Sequence, residues 1–228
     1  MTGEALRAAR EEAKLTQAEA AEKLGLTQAY LSMLERGTKP VTEELQVKAV
    51  GLFHLPPTAL PLRADYPDTL DESGIRAELG ALGYPGFRYL RGNPKYNPAR
   101  LVLFAIDQET LDRRVAEALP WLVVKYADLD WEWVLRNAKL NDRQNRLGFV
   151  VDVAEDVVKR RGDVERKREI QEIKGVIERS RLAREDTLAD ESMNEAERGM
   201  LRRSRSAKAR HWNLLTDMEA GHLAYVAG

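Results

Sequence analysis

The chain has 228 residues, 32% of them charged and 43% hydrophobic, with a formal net charge of −1. It holds no cysteine and three histidines, which excludes disulfides, thiol catalysis and cysteine-ligated zinc and leaves little room for triad chemistry. No apolar run approaches the ~20 residues that span a bilayer, and MTGEALRAAREEAK at the start lacks the apolar centre of a signal peptide, so a cytoplasmic protein with no membrane partner is expected.

Periodicity predicts a first helix from Gly3 to Lys14, with Leu6 and the alanines facing inward. Next comes LTQAEAAEKLGLTQAYLSMLERG, Leu15 to Gly37. Thr16 is placed to cap a helix over Gln17 to Leu24, and Gly25 supplies the left-handed residue that ends it. Thr27 caps a second helix, Gln28 to Arg36, which Gly37 ends in the same way. Ala20, Ala21, Leu24, Leu26, Leu31 and Leu34 recur at helical spacing and face a common core. Gln28, Ala29, Tyr30, Ser32, Met33 and Arg36 are left on outward positions. A helix that offers amide, hydroxyl and guanidinium groups from its N-terminal end suits a major groove.

LTQAEAAEKLG, the LTQ that opens the second helix and the LERG that closes it resemble the helix-turn-helix of the phage-repressor (Xre/Cro-like) DNA-binding family, over Ala5 to Leu62. The resemblance implies that Gln17 bonds a phosphate and buttresses Gln28, which reads an adenine. It implies that Ala29, Tyr30, Ser32 and Met33 line the base-facing side, that Arg36, Thr38 and Lys39 lie near the sugar-phosphate backbone, and that Thr27 belongs to the same DNA-binding set. Some members bury an ion pair at the positions of Arg10 and Glu35.

Charge works against a single copy. Met1 to Leu62 carries seven Lys/Arg and eight Asp/Glu, whereas nucleic-acid domains commonly have a pI above ~9. Phosphate neutralisation supplies most non-specific affinity, so useful binding needs two copies on one site. A homodimer is expected, with self-association in the remainder of the chain.

A further helix is expected from a cap at Thr42 to about Phe53, and LPPTALPL ends the domain with three prolines. His54 reads as a surface or cap residue. The expected architecture is all-α, with a five-helix lambda-repressor-like DNA-binding domain over 1–62, a linker over 63–73 and a helical dimerisation and partner-binding domain over 74–228. Ile75 to Leu82 reads as a short helix. Between Tyr84 and Pro98, Arg88, Arg91 and Lys95 interleave with Phe87, Tyr89 and Tyr96. That segment is either a contact surface for nucleic acid or a partner, or a tether whose aromatics pack onto the next helices.

Asn97-Pro98 suits a helix start for ARLVLFAI. A longer helix is expected from about Gln108, broken or restarted at Pro120. Asp130 can cap a helix whose Trp131 and Trp133 cannot share one face. Asn141 can cap the next, with Leu147, Val150, Val151, Ala154, Val157 and Val158 as its buried stripe. Asp163 to Ala183 is polar with a narrow apolar line at Val164, Ile170, Ile173, Ile177 and Leu182, so it packs on one partner, in cis or across a dimer, or faces solvent. Ser192 and Glu195 fit a capping box. Arg202 to Arg210 is the most basic run, a phosphate track or a solvated loop. Thr216 and Glu219 suggest a second capping box before an apolar final helix.

Catalytic signatures are absent: no metalloprotease HExxH, phosphate-binding loop, dinucleotide fingerprint or nucleophile elbow occurs. Asp128, Asp130 and Glu132 near Trp131 read as caps and solvated acids. Helical periodicity argues against a self-cleaving β domain, and no 34-residue repeat is found. No enzyme activity, cofactor or metal is expected. The reading is a transcriptional regulator, a repressor, bound to operator duplex. LPWLVVKYADLDWEWVLRNAKLNDRQNRLGFVVDVA resembles a region of antitoxin-like regulators, which implies a toxin as protein partner. The alternatives are a regulator gated by a small ligand near the tryptophans and, last, a helical enzyme with a carboxylate site.

Overall fold

The computed structural model describes residues 1–62, 69–90, 92–188 and 190–226. The chain forms two compact units, Met1–Ala64 with Asn93–Asn97, and Asp65–Gly92 with Pro98–Gly228. Twelve α-helices account for most of the described residues, as expected for an all-α chain, and the only strands among them are two of two residues each.

In the first unit α1 (Gly3–Glu12), α2 (Gln17–Leu24), α3 (Gln28–Glu35) and α4 (Glu43–Leu52) enclose one small core. A 3-10 turn at Pro57–Ala59 lies in the proline-rich stretch expected to end the domain, so four α-helices rather than five are found among the described residues of this unit. Thr2, Thr16, Thr27 and Thr42 each cap a helix through the side-chain oxygen. The caps fix the starts because each satisfies an otherwise orphaned N–H. Leu6, Ala20, Leu31, Leu34 and Ala49 are fully buried, and Leu26 packs on that core from its edge. Asn97 belongs here: its amide donates to the carbonyls of Thr58 and Leu60 at 2.7 and 2.8 Å.

The second unit is built on α9. Before it come α5 (Glu72–Ala81), α6 (Pro98–Asp107), α7 (Arg113–Lys125) and α8 (Trp131–Leu140). Then follow α9 (Gln144–Arg161), α10 (Val164–Glu178), α11 (Glu195–Ser204) and α12 (Ala207–His211). The expected stripe of α9 is buried throughout, yet burial goes almost all round the helix and includes Arg146, Asp152 and Glu155. Arg146 is fully buried and spends all its donors: two on Asp186, one on Glu191, and one each on the carbonyls of Ile106 and Gln108. Asp152 accepts from Lys208 at 2.6 Å, Lys174 at 3.1 Å and the Trp212 indole at 3.0 Å. Burial pushes that carboxyl up, and these bonds outweigh it, holding Asp152 below the usual carboxylate range.

Several local expectations give way to long-range contacts. The helix expected at Ile75 begins three residues earlier, because Asp71 accepts from the Gly74 N–H. Residues 63–68 of the expected linker lie outside the described residues. The helix expected from Gln108 starts at Arg113, capped by Asp112, and runs through Pro120. A proline inside a helix forfeits one backbone bond, at about 3 kcal/mol, and the buried Val115, Leu119, Trp121 and Leu122 offset it.

Asp130 caps α8 as expected, with Trp133 buried and Trp131 half-buried. Asn141 closes α8 rather than opening α9. The apolar line of α10 packs in cis on α9 through Ile170 and Ile177, while Val164 is exposed. The capping box of α11 sits at Asn194 and Glu197, two residues beyond the expected pair, and Ser192 turns to Asp190 instead. After α12 the expected final helix is replaced. β2 (Leu214–Leu215) pairs in parallel with β1 (Asp186–Thr187), followed by 3-10 turns at Ala220–His222 and Ala224–Val226. No helix among the described residues is long and apolar enough to cross a membrane.

Candidate nucleic-acid interface

The turn between α2 and α3 is set by Gly25, whose φ of 72° lies in the left-handed region. There the Leu26 N–H reaches back to the Ala21 carbonyl at 2.8 Å and the Gly25 N–H to Glu22 at 3.0 Å. The chain then re-enters a helix within two residues. Gly37, at φ 73°, ends α3 with the same pair of bonds, Thr38 to Met33 and Gly37 to Leu34, each 3.0 Å.

Leu31 and Leu34 are fully buried, so the opposite face of α3 must point outward. Thr27, Gln28, Ala29, Tyr30, Met33, Arg36, Thr38 and Lys39 are all exposed, and Ser32 is half-buried. Tyr30 and Met33, 37% and 38% exposed, put apolar surface on that face, which suits contact with a thymine methyl. The first turn of α3 also presents N–H groups that the helix does not use, a site that attracts phosphate oxygens.

Under this surface lies Glu35, buried at the inner edge of α3. Arg10 grips it with two bonds, Nε to Oε1 at 2.6 Å and Nη2 to Oε2 at 3.0 Å. This is the ion pair that the resemblance implied. Arg10 also donates to the Leu15 carbonyl at 2.9 Å, so one side chain ties α1, the start of α2 and α3 together. Gln17 Nε2 donates to Glu35 Oε2 at 2.8 Å. Burial pushes the Glu35 carboxyl up, and the bonds from Arg10 and Gln17 outweigh it, leaving it below its ordinary value. The Arg10 guanidinium, bonded to Glu35, is held still more firmly in its charged form.

The Gln17–Glu35 bond was not foreseen from sequence. The available signal was an acid at a position of α3 where the core pattern of Leu31 and Leu34 calls for an apolar residue. The bond leaves Gln17 one N–H for a phosphate and its carbonyl oxygen for the amide of a neighbouring glutamine. Two further side chains are engaged locally. Arg36 Nε donates to the Ser32 carbonyl at 3.2 Å and Thr38 Oγ1 to Met33 at 2.9 Å. The Thr38 hydroxyl proton is thereby used, so a phosphate contact from Thr38 requires that bond to break.

Other candidate residues are brought to no common site. Asp130 caps α8, while Asp128 and Glu132 are exposed. In the basic run of 202–210, Arg202 pairs with Glu185 and Glu195, and Lys208 with Asp152 and Asp156. Arg202, Arg205 and Lys208 of that run are thus engaged by acids of their own unit, while Arg203 and Arg210 are exposed. Tyr84 and Phe87 are buried, and Tyr84 packs on Trp121 of α7 with ring centroids 5.3 Å apart, as the tether reading of that segment expects, while Tyr89 is exposed. Arg91 lies outside the described residues.

A helix-turn-helix family model matches residues 6–58. No curated protein and no solved structure shows significant similarity to the chain. Residues 6–58 are therefore a helix-turn-helix domain of the Cro/C1 type, which implies DNA binding and transcriptional regulation.

Proposed function

We propose that this chain is a sequence-specific transcriptional repressor in which α3 enters the major groove of an operator. Gln28 reads an adenine edge, with Ala29, Tyr30, Ser32 and Met33 against neighbouring bases. Gln17, Thr27, Arg36, Thr38 and Lys39 hold the sugar-phosphate backbone. The observation that carries this reading is the rigid seat of that face. Arg10 and Gln17 converge on the buried Glu35, so α2 and α3 present their exposed groups as one body.

The second unit supplies self-association, because a domain with seven basic and eight acidic residues cannot hold a duplex tightly in one copy. A toxin-binding role for that unit has in its favour the resemblance around Leu119 to Ala154, and co-purification from the native host tests it.

The experiment is selection of duplexes from a random pool with the full chain. A regulator of this kind enriches a site with two half-sites about one helical turn, or a multiple of it, apart. A pool that stays random refutes the reading.

A further inference from the structure

α8 and α10 both pack on α9, and between them runs a groove of about 710 Å³. Its walls are Trp131, Leu135 and Leu140 from α8 and Ile173, Val176 and Ile177 from α10. Leu140 is 76% exposed and Val176 49%, among the most exposed large apolar side chains of the unit. Apolar surface gathered in a groove, unlike single apolar residues scattered over a surface, marks a contact.

The rim says what covers it. Glu132, Arg136 and Lys139 stand along α8 and Glu172 on α10. Among the described residues Glu132, Arg136 and Lys139 form no ion pair, and Glu172 meets only the exposed Arg168 at 3.6 Å. The rim thus holds two cations and two carboxylates. With the two signs balanced, neither a uniformly acidic nor a uniformly basic partner gains net attraction from this rim. A copy of the same surface carries both signs, and a two-fold axis passing between α8 and α10 can set each sign against its opposite.

We propose that this groove is the homodimer interface of the chain. Leu140 and Val176 of each copy enter the groove of the other, and Arg136 and Lys139 of each face Glu172 of the other. The inference rests on the DNA-reading role proposed above, which calls for two copies, but its test uses no DNA.

The test is sedimentation of the full chain over a concentration series. The wild type is expected to dimerise, and Leu140→Glu combined with Val176→Glu to remain monomeric with an unchanged circular dichroism spectrum, since both residues are exposed. Two charge variants sharpen it: Arg136→Glu with Lys139→Glu, and Glu132→Lys with Glu172→Lys. Each alone should weaken self-association at least about tenfold through like charges across the axis, and mixing the two should restore a dimer. A monomeric wild type overturns the proposal. So does a dimer indifferent to these substitutions, or a different protein co-purifying in the groove of a chain that does not self-associate. A dimer that selects no DNA sequence would leave this interface standing and remove the role of α3 alone.

Discussion

Gln17 donates through Nε2 to Glu35 Oε2 at 2.8 Å, so a surface residue of α2 is anchored on a carboxylate buried beneath α3. Arg10 holds the same carboxylate from α1. Removing Glu35 would leave the Arg10 guanidinium, whose side chain is only 9% exposed, with the exposed Glu11 at 3.4 Å as its remaining acidic partner. Glu35→Ala is expected to destabilise the first unit by about 3–5 kcal/mol, the usual effect of breaking a buried pair. Amide hydrogen exchange of α1–α3 in the full chain measures it. Unchanged protection would show that the pair does not hold these helices.

The pH dependence follows in sign. The Glu35 carboxyl is depressed in the folded chain, so its contribution is complete above the ordinary carboxylate pKa of about 4.3 and is lost as pH falls through the lower folded value. Protection of the Leu31 and Leu34 amides should drop in acid, and Glu35→Gln should flatten that drop. An equal acid response in both proteins would contradict the assignment to Glu35.

The second unit depends on a packing feature that periodicity does not reveal. A Cβ on Gly148 would lie 2.2 Å from the Trp212 ring, so the glycine in the second turn of α9 admits the indole whose Nε1 donates to Asp152. Gly148→Ala should cost about 1–3 kcal/mol through overpacking. All four tryptophans lie in the second unit, so urea unfolding followed by indole fluorescence reports on it. A midpoint equal to that of the wild type would refute the close fit.

These cases mark where the sequence could and could not be read. α2 runs from Gln17 to Leu24 as expected, because Thr16 and Gly25 fix both ends within a few residues. The outward face of α3 was legible for the same reason: two buried leucines determine where its other side chains point. The end of the chain was not legible. Leu214 and Leu215 pair with Asp186 and Thr187, and no local pattern announces a partner so far away. Likewise α9 displayed its apolar stripe but not the burial of Arg146 and Asp152, whose partners come from β1, α10 and α12. Pro120 misled because its cost is local while the burial that offsets it is tertiary.

Within the interface, phosphate and base contacts should separate. Lys39→Ala is expected to weaken binding equally on all duplexes and to reduce the salt slope by about one. A sequence-dependent loss would move Lys39 from the backbone to the bases.

The most direct measurement compares the wild type with Gln28→Ala on the selected operator and on variants of it with each half-site adenine replaced. If α3 reads the operator through Gln28, the substitution costs about 1–3 kcal/mol on the intact site and little further on the replaced one. Equal affinity of the two proteins for the intact operator, within about 0.5 kcal/mol, would contradict recognition through Gln28.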